Sequence, residues 1–211
     1  MRIFIFVLAA LAGVSQAADD DPCRAGYGHL VSHGPASPFW VQEAPFLKKL
    51  EALGLRLRRA GDEDGRRVRD FVRRVRDHDG LGPLASEEDF AHIQRFYDQK
   101  RGELFMIEDA QGKVVATMGY AEIRPGVMEL KRVYLDPLLQ GQGLGSGATR
   151  FAIREMSRVP GVRRIELMTT AQQERAIGVY RLLGFTPFEP EPGAIPPGAK
   201  DRIYYGLDLS N

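Results

Sequence analysis

The stretch from Val127 to Gly147 limits this chain more than any other. Val127-Met-Glu-Leu-Lys-Arg-Val-Tyr-Leu135 reads as a strand, Asp136-Pro137 ends it, and Gly141-Gln-Gly-Leu-Gly-Ser-Gly147 opens a helix whose apolar stripe is Leu144, Ala148, Phe151, Ala152 and Met156. The first amides of a helix have no intrahelical acceptor and lie at the positive end of its dipole. Glycines leave those amides uncovered by any Cβ, so an anion can approach them closely. The segment therefore predicts a cradle for a pyrophosphate, set where a helix crosses back over a sheet.

The flanking elements decide the kind of sheet. Leu55–Arg59 reads as a strand, and Asp62 as the cap of a helix with Val68, Phe71, Val72 and Val75 inward. The arginines of that helix (66, 67, 69, 73, 74 and 76) read as a solvated face interleaved with Asp70 and Asp77, the alternative being a patch for a phosphate-bearing ligand. Ser86 caps a second helix with Phe90, Ile93 and Tyr97 inward. Glu103–Glu108, Lys113–Ile123 and Val127–Leu135 are three strands joined by short turns, which predicts antiparallel hairpins. After the glycine-led helix come a strand at Arg163–Met168, a helix at Gln172–Leu183 and a short strand at Phe185–Phe188. A Pro/Gly-rich loop then leads to a last strand at Arg202–Leu209. This order predicts an α/β (α+β-like) fold with a mixed, mostly antiparallel sheet and helices on both faces.

Composition narrows the function. The 29 Lys and Arg nearly cancel 28 Asp and Glu, for a net charge of +1, which argues against a chain built to coat nucleic acid or an anionic membrane. Cys23 is the single cysteine, so an intrachain disulfide and a multi-cysteine zinc site are excluded. His29, His33, His78 and His92 have no metal-ligand spacing, and no metal is expected. Met1-Arg2, an apolar run at Ile3–Val14 and Ser15-Gln16-Ala17 resemble a secretory signal spanning residues 1–17. The run falls short of the roughly 20 residues a membrane span needs, so no stable anchor is expected after processing. A buried first strand or a misassigned start are the competing readings. Residues 18–53 form an extension: Trp40 reads as packing, and Phe46, Leu47, Leu50 and Leu53 fall at helical spacing. Residues 54–211 are the expected main domain.

Two ligand classes suit the cradle. Gly143-Leu-Gly145-Ser-Gly-Ala148 fits the dinucleotide pattern G-x-G-x-x-A, with Glu166 about 20 residues on, the mark of an NAD(P)-dependent oxidoreductase. Against it, three hairpin-linked strands precede the loop, and Glu166 lies inside its strand. The second reading uses more residues. Gln140-Gly-Gln-Gly143-Leu-Gly145 fits Q/R-x-x-G-x-G/A, and Ala176-Ile-Gly-Val-Tyr180-Arg-Leu-Leu-Gly184-Phe185 fits A-x-x-x-Y-x-x-x-G-F. Together with the Glu129–Pro137 strand, they resemble the GCN5-related N-acetyltransferase (GNAT) superfamily over about residues 54–209.

The resemblance implies a sheet splayed between its fourth and fifth strands and transfer of an acetyl group from acetyl-CoA to a primary amine in a ternary complex. It implies that backbone groups of Val133 and Leu135 bind the pantetheine arm, and that the amides of Gly141, Gln142, Gly143, Leu144, Gly145 and Ser146 hold the pyrophosphate. Gln140 stands where the family often has a basic residue, and Gln173 where it often has asparagine. Glu129 is the candidate general base, with Glu122 as a second choice. Glu129 also reads as a plain strand carboxylate. Tyr180 is the candidate proton donor to the leaving thiolate, and also fits an inward helix face with Ile177 and Leu183. The expected partner is a small-molecule or peptide amine, and the last strand is a candidate edge for a homodimer. An exported, non-catalytic binding module on the same fold is the alternative: the signal-like start points to export, whereas acetyl-CoA points to the cytoplasm.

Overall fold

The structure, a computed structural model, describes residues 43–191 and 202–209. The candidate signal, Cys23, Trp40 and most of the Pro/Gly-rich loop lie outside the described residues. The elements are α1 (Glu43–Ala52), β1 (Arg56–Arg59), α2 (Gly65–His78), α3 (Glu88–Ala91), α4 (Ile93–Asp98), β2 (Glu103–Glu108), β3 (Val114–Arg124) and β4 (Val127–Leu135). They continue with α5 (Leu144–Ser157), β5 (Arg164–Thr170), α6 (Glu174–Leu182), β6 (Thr186–Pro187) and β7 (Arg202–Asp208).

The strands form one sheet in the order β1-β2-β3-β4-β5-β7-β6. All neighbours are antiparallel except β4 and β5. Short turns explain the first part of that order. The Asp109 carboxylate accepts from the amides of Gln111 (3.0 Å) and Lys113 (2.8 Å), closing the β2–β3 turn. A parallel neighbour needs a crossover, and α5 supplies it between β4 and β5.

Two helical layers bury the two faces. On one face Val68, Phe71, Val72 and Val75 of α2, with Phe90, Ile93 and Tyr97, pack on Leu104, Met106, Val114 and Ala121. On the other, Phe151 of α5 meets Phe105 edge-on, with ring centroids 5.0 Å apart. α1 rides on α5: Phe46 and Leu50 are buried, and the Phe46 ring fills the space that a Cβ on Gly147 would need.

Four expectations change. Asp62 does not cap α2; it opens a 3-10 turn over Asp62–Asp64, and its carboxylate accepts from the Gln94 amide at 2.9 Å. The second helix breaks at His92 into α3 and α4, while the Ser86 hydroxyl accepts from the Glu88 amide at 3.3 Å. The arginine face is not merely solvated. Arg76 is buried and donates to the carbonyls of Leu81, Gly82 and Pro83, whereas Arg67 reaches Asp64 and Glu108. Finally, β7 is flanked by both β5 and β6, so the edge is the two-residue β6, whose proline makes it a poor template for a partner strand.

Glu103 gives the fold a pH dependence. One carboxylate oxygen pairs with Arg59 at 2.6 Å, and the other is buried without a hydrogen-bond partner among the described residues. Burial pushes this carboxyl up to about 7, against the pull of Arg59. Between about 4.5 and 7 the folded chain therefore holds a proton that the unfolded chain has released. The stabilisation is complete below that window and is lost as pH rises through it. The melting temperature should fall from pH 5 to pH 8, and Glu103→Gln should flatten the decline, as calorimetry across that range would show.

Candidate active site

The site starts from a fault in register. Thr117 faces Tyr134 and Gly119 faces Lys131, so Met118 stands opposite both Arg132 and Val133. This is a β-bulge, and Arg132 takes a left-handed backbone with φ 55°. A non-glycine residue there costs about 1 kcal/mol or more. Side-chain bonds hold it in place. The Arg132 guanidinium donates to the Asp89 carboxylate at 2.8 and 2.7 Å and to the Ser86 carbonyl at 2.8 Å, and it lies over the Phe90 ring. Asp89, fully buried, also accepts from the Tyr97 hydroxyl at 3.0 Å. The Arg132 carbonyl accepts from the Thr117 hydroxyl at 2.8 Å.

A bulge bends its strand, and the β4–β5 ladder ends just before this one. Val127–Leu130 pair with Arg164–Leu167 and no further. Beyond that point β4 follows β3 to Leu135, and β5 follows β7 to Thr170. The two strands diverge, and Val133 and Leu135 border the gap with no β5 partner.

The gap leads to the glycine loop. Gly141 and Gly143 have φ of 76° and 77°, a conformation glycine adopts without strain, and the space beside Gly141 is open. Gly143 is the N-cap of the 14-residue α5, and no side chain caps that end. Leu144 is buried and anchors the helix start. The polar side chains of the loop fasten it to its surroundings. Gln140 donates to the Leu135 carbonyl at 3.5 Å and accepts from Arg175 at 3.0 Å. Gln142 donates to the Leu138 carbonyl at 3.4 Å, and Ser146 donates to the Gly143 carbonyl at 3.0 Å. Gln173 accepts from the Thr169 hydroxyl at 3.0 Å, tying the start of α6 to the end of β5.

Tyr180 of α6 is buried edge-on against Phe185, with centroids 5.9 Å apart. Its hydroxyl makes no hydrogen bond among the described residues. Burial and the neighbouring Tyr134 push its pKa above the ordinary tyrosine range, so it is a neutral O–H donor at any physiological pH. Tyr134 is itself held by Arg76, which donates to its hydroxyl at 2.9 Å.

Glu129 sits one residue before the ladder ends, in register with Ala121 and Glu166. It lines a cleft of 570 Å³ together with Glu166, Met168, Phe188, Arg164 and Tyr204. Its carboxylate is 3.4 Å from the Lys131 ammonium. The Tyr204 hydroxyl is buried there without a hydrogen-bond partner among the described residues, and burial together with nearby Glu129 raises its pKa. Glu166, by contrast, is neutralised by Arg124 at 2.7 Å and Arg164 at 2.8 Å in mid-strand. It is not free to take a ribose, which removes the acidic partner that a dinucleotide reading needs. Glu122 accepts from the Gly126 amide and Arg101, outside the lining of the cleft. No cluster of metal-ligating side chains occurs among the described residues.

The family model described as "Acetyltransferase (GNAT) family" matches residues 70–185. The chain belongs to this family. The curated relatives include mycothiol acetyltransferase of Kytococcus sedentarius, 27% identical over 161 residues, or 72% of this chain and 54% of that one. Another is human N-acetyltransferase 8B, 28% identical over 107 residues, or 48% of this chain and 47% of that one. The chain thus spans about half the length of the curated relatives it matches. Among solved structures, a GNAT-family acetyltransferase from Staphylococcus aureus Mu50 superposes with a TM-score of 0.64 at 16% identity, covering 74% of this chain and 99% of that one. An acetyltransferase from Streptococcus agalactiae gives 0.63 at 20%, with the same coverage. These share the fold.

Sequence reasoning missed Arg132, Asp89, Tyr134 and Tyr204. Alternation along β4 hides the bulge, and Arg132 looks like any strand cation. The buried Asp89–Arg132 pair yields a direct prediction. Asp89→Ala should strand the guanidinium in the core and cost about 3 kcal/mol or more of stability in urea unfolding. Lys131→Ala, whose ammonium pairs with Glu129 beside the bulge, should cost well under that.

Proposed function

We propose that the chain transfers an acetyl group from acetyl-CoA to a primary amine, by direct attack within a ternary complex. The observation that carries this reading is the uncapped, glycine-bordered start of α5, held against Leu135 on the stretch of β4 that has no β5 partner, with the buried Tyr180 near Tyr134 of that same stretch. Such a start supplies backbone donors and a positive dipole end to a pyrophosphate. The open space beside Gly141 fits a bulky anion. The β5-facing backbone of Val133 and Leu135, left without a ladder partner in β5, suits an extended pantetheine arm that pairs as a strand would. Gln173 belongs to this site as a positioning residue, fixing the start of α6.

An amine with pKa near 10 is neutral in about one molecule per thousand at pH 7. In our reading Glu129 takes the surplus proton, directly or through a water, from an acceptor seated in the cleft. The amine nitrogen then bonds to the acyl carbon, and a backbone N–H near Val133 faces the developing oxyanion. The carbon–sulfur bond breaks, Tyr180 gives its proton to the departing thiolate, and the surplus proton on the new amide nitrogen passes through water to the tyrosinate. The hydroxyl reaches this step protonated, and the burial that raises its pKa makes it a weaker acid, so the proton moves only as negative charge builds on the sulfur. The likeness to human N-acetyltransferase 8B supports nitrogen as the atom acetylated.

Calorimetric titration with acetyl-CoA, with NAD and NADP as controls, tests the reading. Saturable binding of the coenzyme alone is expected, and a folded sample that ignores acetyl-CoA would refute it. With an amine acceptor found by screening, Tyr180→Phe should lower kcat about 100-fold or more while leaving the acetyl-CoA affinity within a few fold.

A further inference from the structure

The pyrophosphate loop carries no cation of its own. From Pro137 to Thr149 there is no lysine or arginine, and position 140 is glutamine. A dianionic group held by amides alone lacks the charge pairing that strengthens phosphate hydrogen bonds. The structure brings a cation from elsewhere in the chain. Lys49, in the last turn of α1, donates from Nζ to the carbonyl of Gln142. The same Nζ stands 4.0 Å from the point where a Cβ on Gly143 would lie. Arg175 also reaches the loop, but its hydrogen bond goes to the Gln140 side chain at 3.0 Å.

The placement of Lys49 is fixed by packing. Phe46, three residues earlier on α1, wedges against Gly147 and meets Phe151 of α5 at a tilt, with ring centroids 6.4 Å apart. Leu50, the next residue, is buried. α1 therefore rides on the very helix whose N-terminus forms the cradle. An ammonium has three donors, and one goes to Gln142. The others remain available beside Gly143, on an exposed side chain that loses little hydration on meeting an anion.

Resting on the acetyl-CoA reading above, we propose that Lys49 is a coenzyme-binding residue that supplies the positive charge missing from the loop. α1 lies before the residues matched by the family model, 70–185. The helix α1 is then part of the donor site.

The test is calorimetric titration of coenzyme A into the full chain and into Lys49→Arg, Lys49→Gln and Lys49→Glu, at low and high salt. Lys49→Arg should keep the wild-type Kd within about three-fold. Lys49→Gln should weaken binding about ten-fold, and Lys49→Glu more than Lys49→Gln. The gap between wild type and Lys49→Gln should shrink as salt rises. A Kd unchanged in Lys49→Gln, or equal salt-independent losses in Gln and Glu, would mean that Lys49 only braces the loop and would overturn the inference alone. A folded wild type that does not bind coenzyme A would overturn the acetyl-CoA reading and this inference together.

Discussion

The Arg132–Asp89 pair governs the geometry around it. A left-handed arginine in mid-strand is unfavourable, and it persists because a buried carboxylate receives both of its forward donors while Thr117 holds its carbonyl. Asp89 comes from α3, so the short helices before β2 help to set the shape of β4. The bulge turns β4 away from β5 just past Leu130, and a continuous parallel ladder becomes a fork. Everything assigned to the donor site lies along that fork or at its open end.

The two sides of the fork differ in how charge is handled. The glycine loop presents dipoles and uncapped amides, and its own side chains are spent on holding its shape. The cleft beside Glu129 is lined by ionised groups, several already paired. Glu166 is quenched by two arginines, which leaves Glu129 and the Tyr204 hydroxyl as polar groups with less committed surroundings. That division suits a bisubstrate enzyme: an anionic donor on backbone amides, and an acceptor among titratable side chains.

Much of this was legible in the sequence. Periodicity located β2 and β4 to the residue, and glycine spacing located the start of α5, because both signals are local. The break at His92 was not legible, since Phe90, Ile93 and Tyr97 keep a helical spacing across it. Nor was the bulge, because nothing in Lys131-Arg-Val-Tyr134 announces a left-handed residue. Its cause is a carboxylate 43 positions away. The role of Arg76 was hidden for the same reason: a cation on a charged helix face looks solvated until the loop that folds over it is known.

Backbone amide shifts of isotopically labelled protein, recorded as coenzyme A is added, test the central claim most directly. The account predicts that the largest changes fall on Val133, Leu135 and Gly141 through Ser146, with smaller ones at the start of α6. Changes confined to other surfaces, with the fork and the loop unmoved, would contradict it.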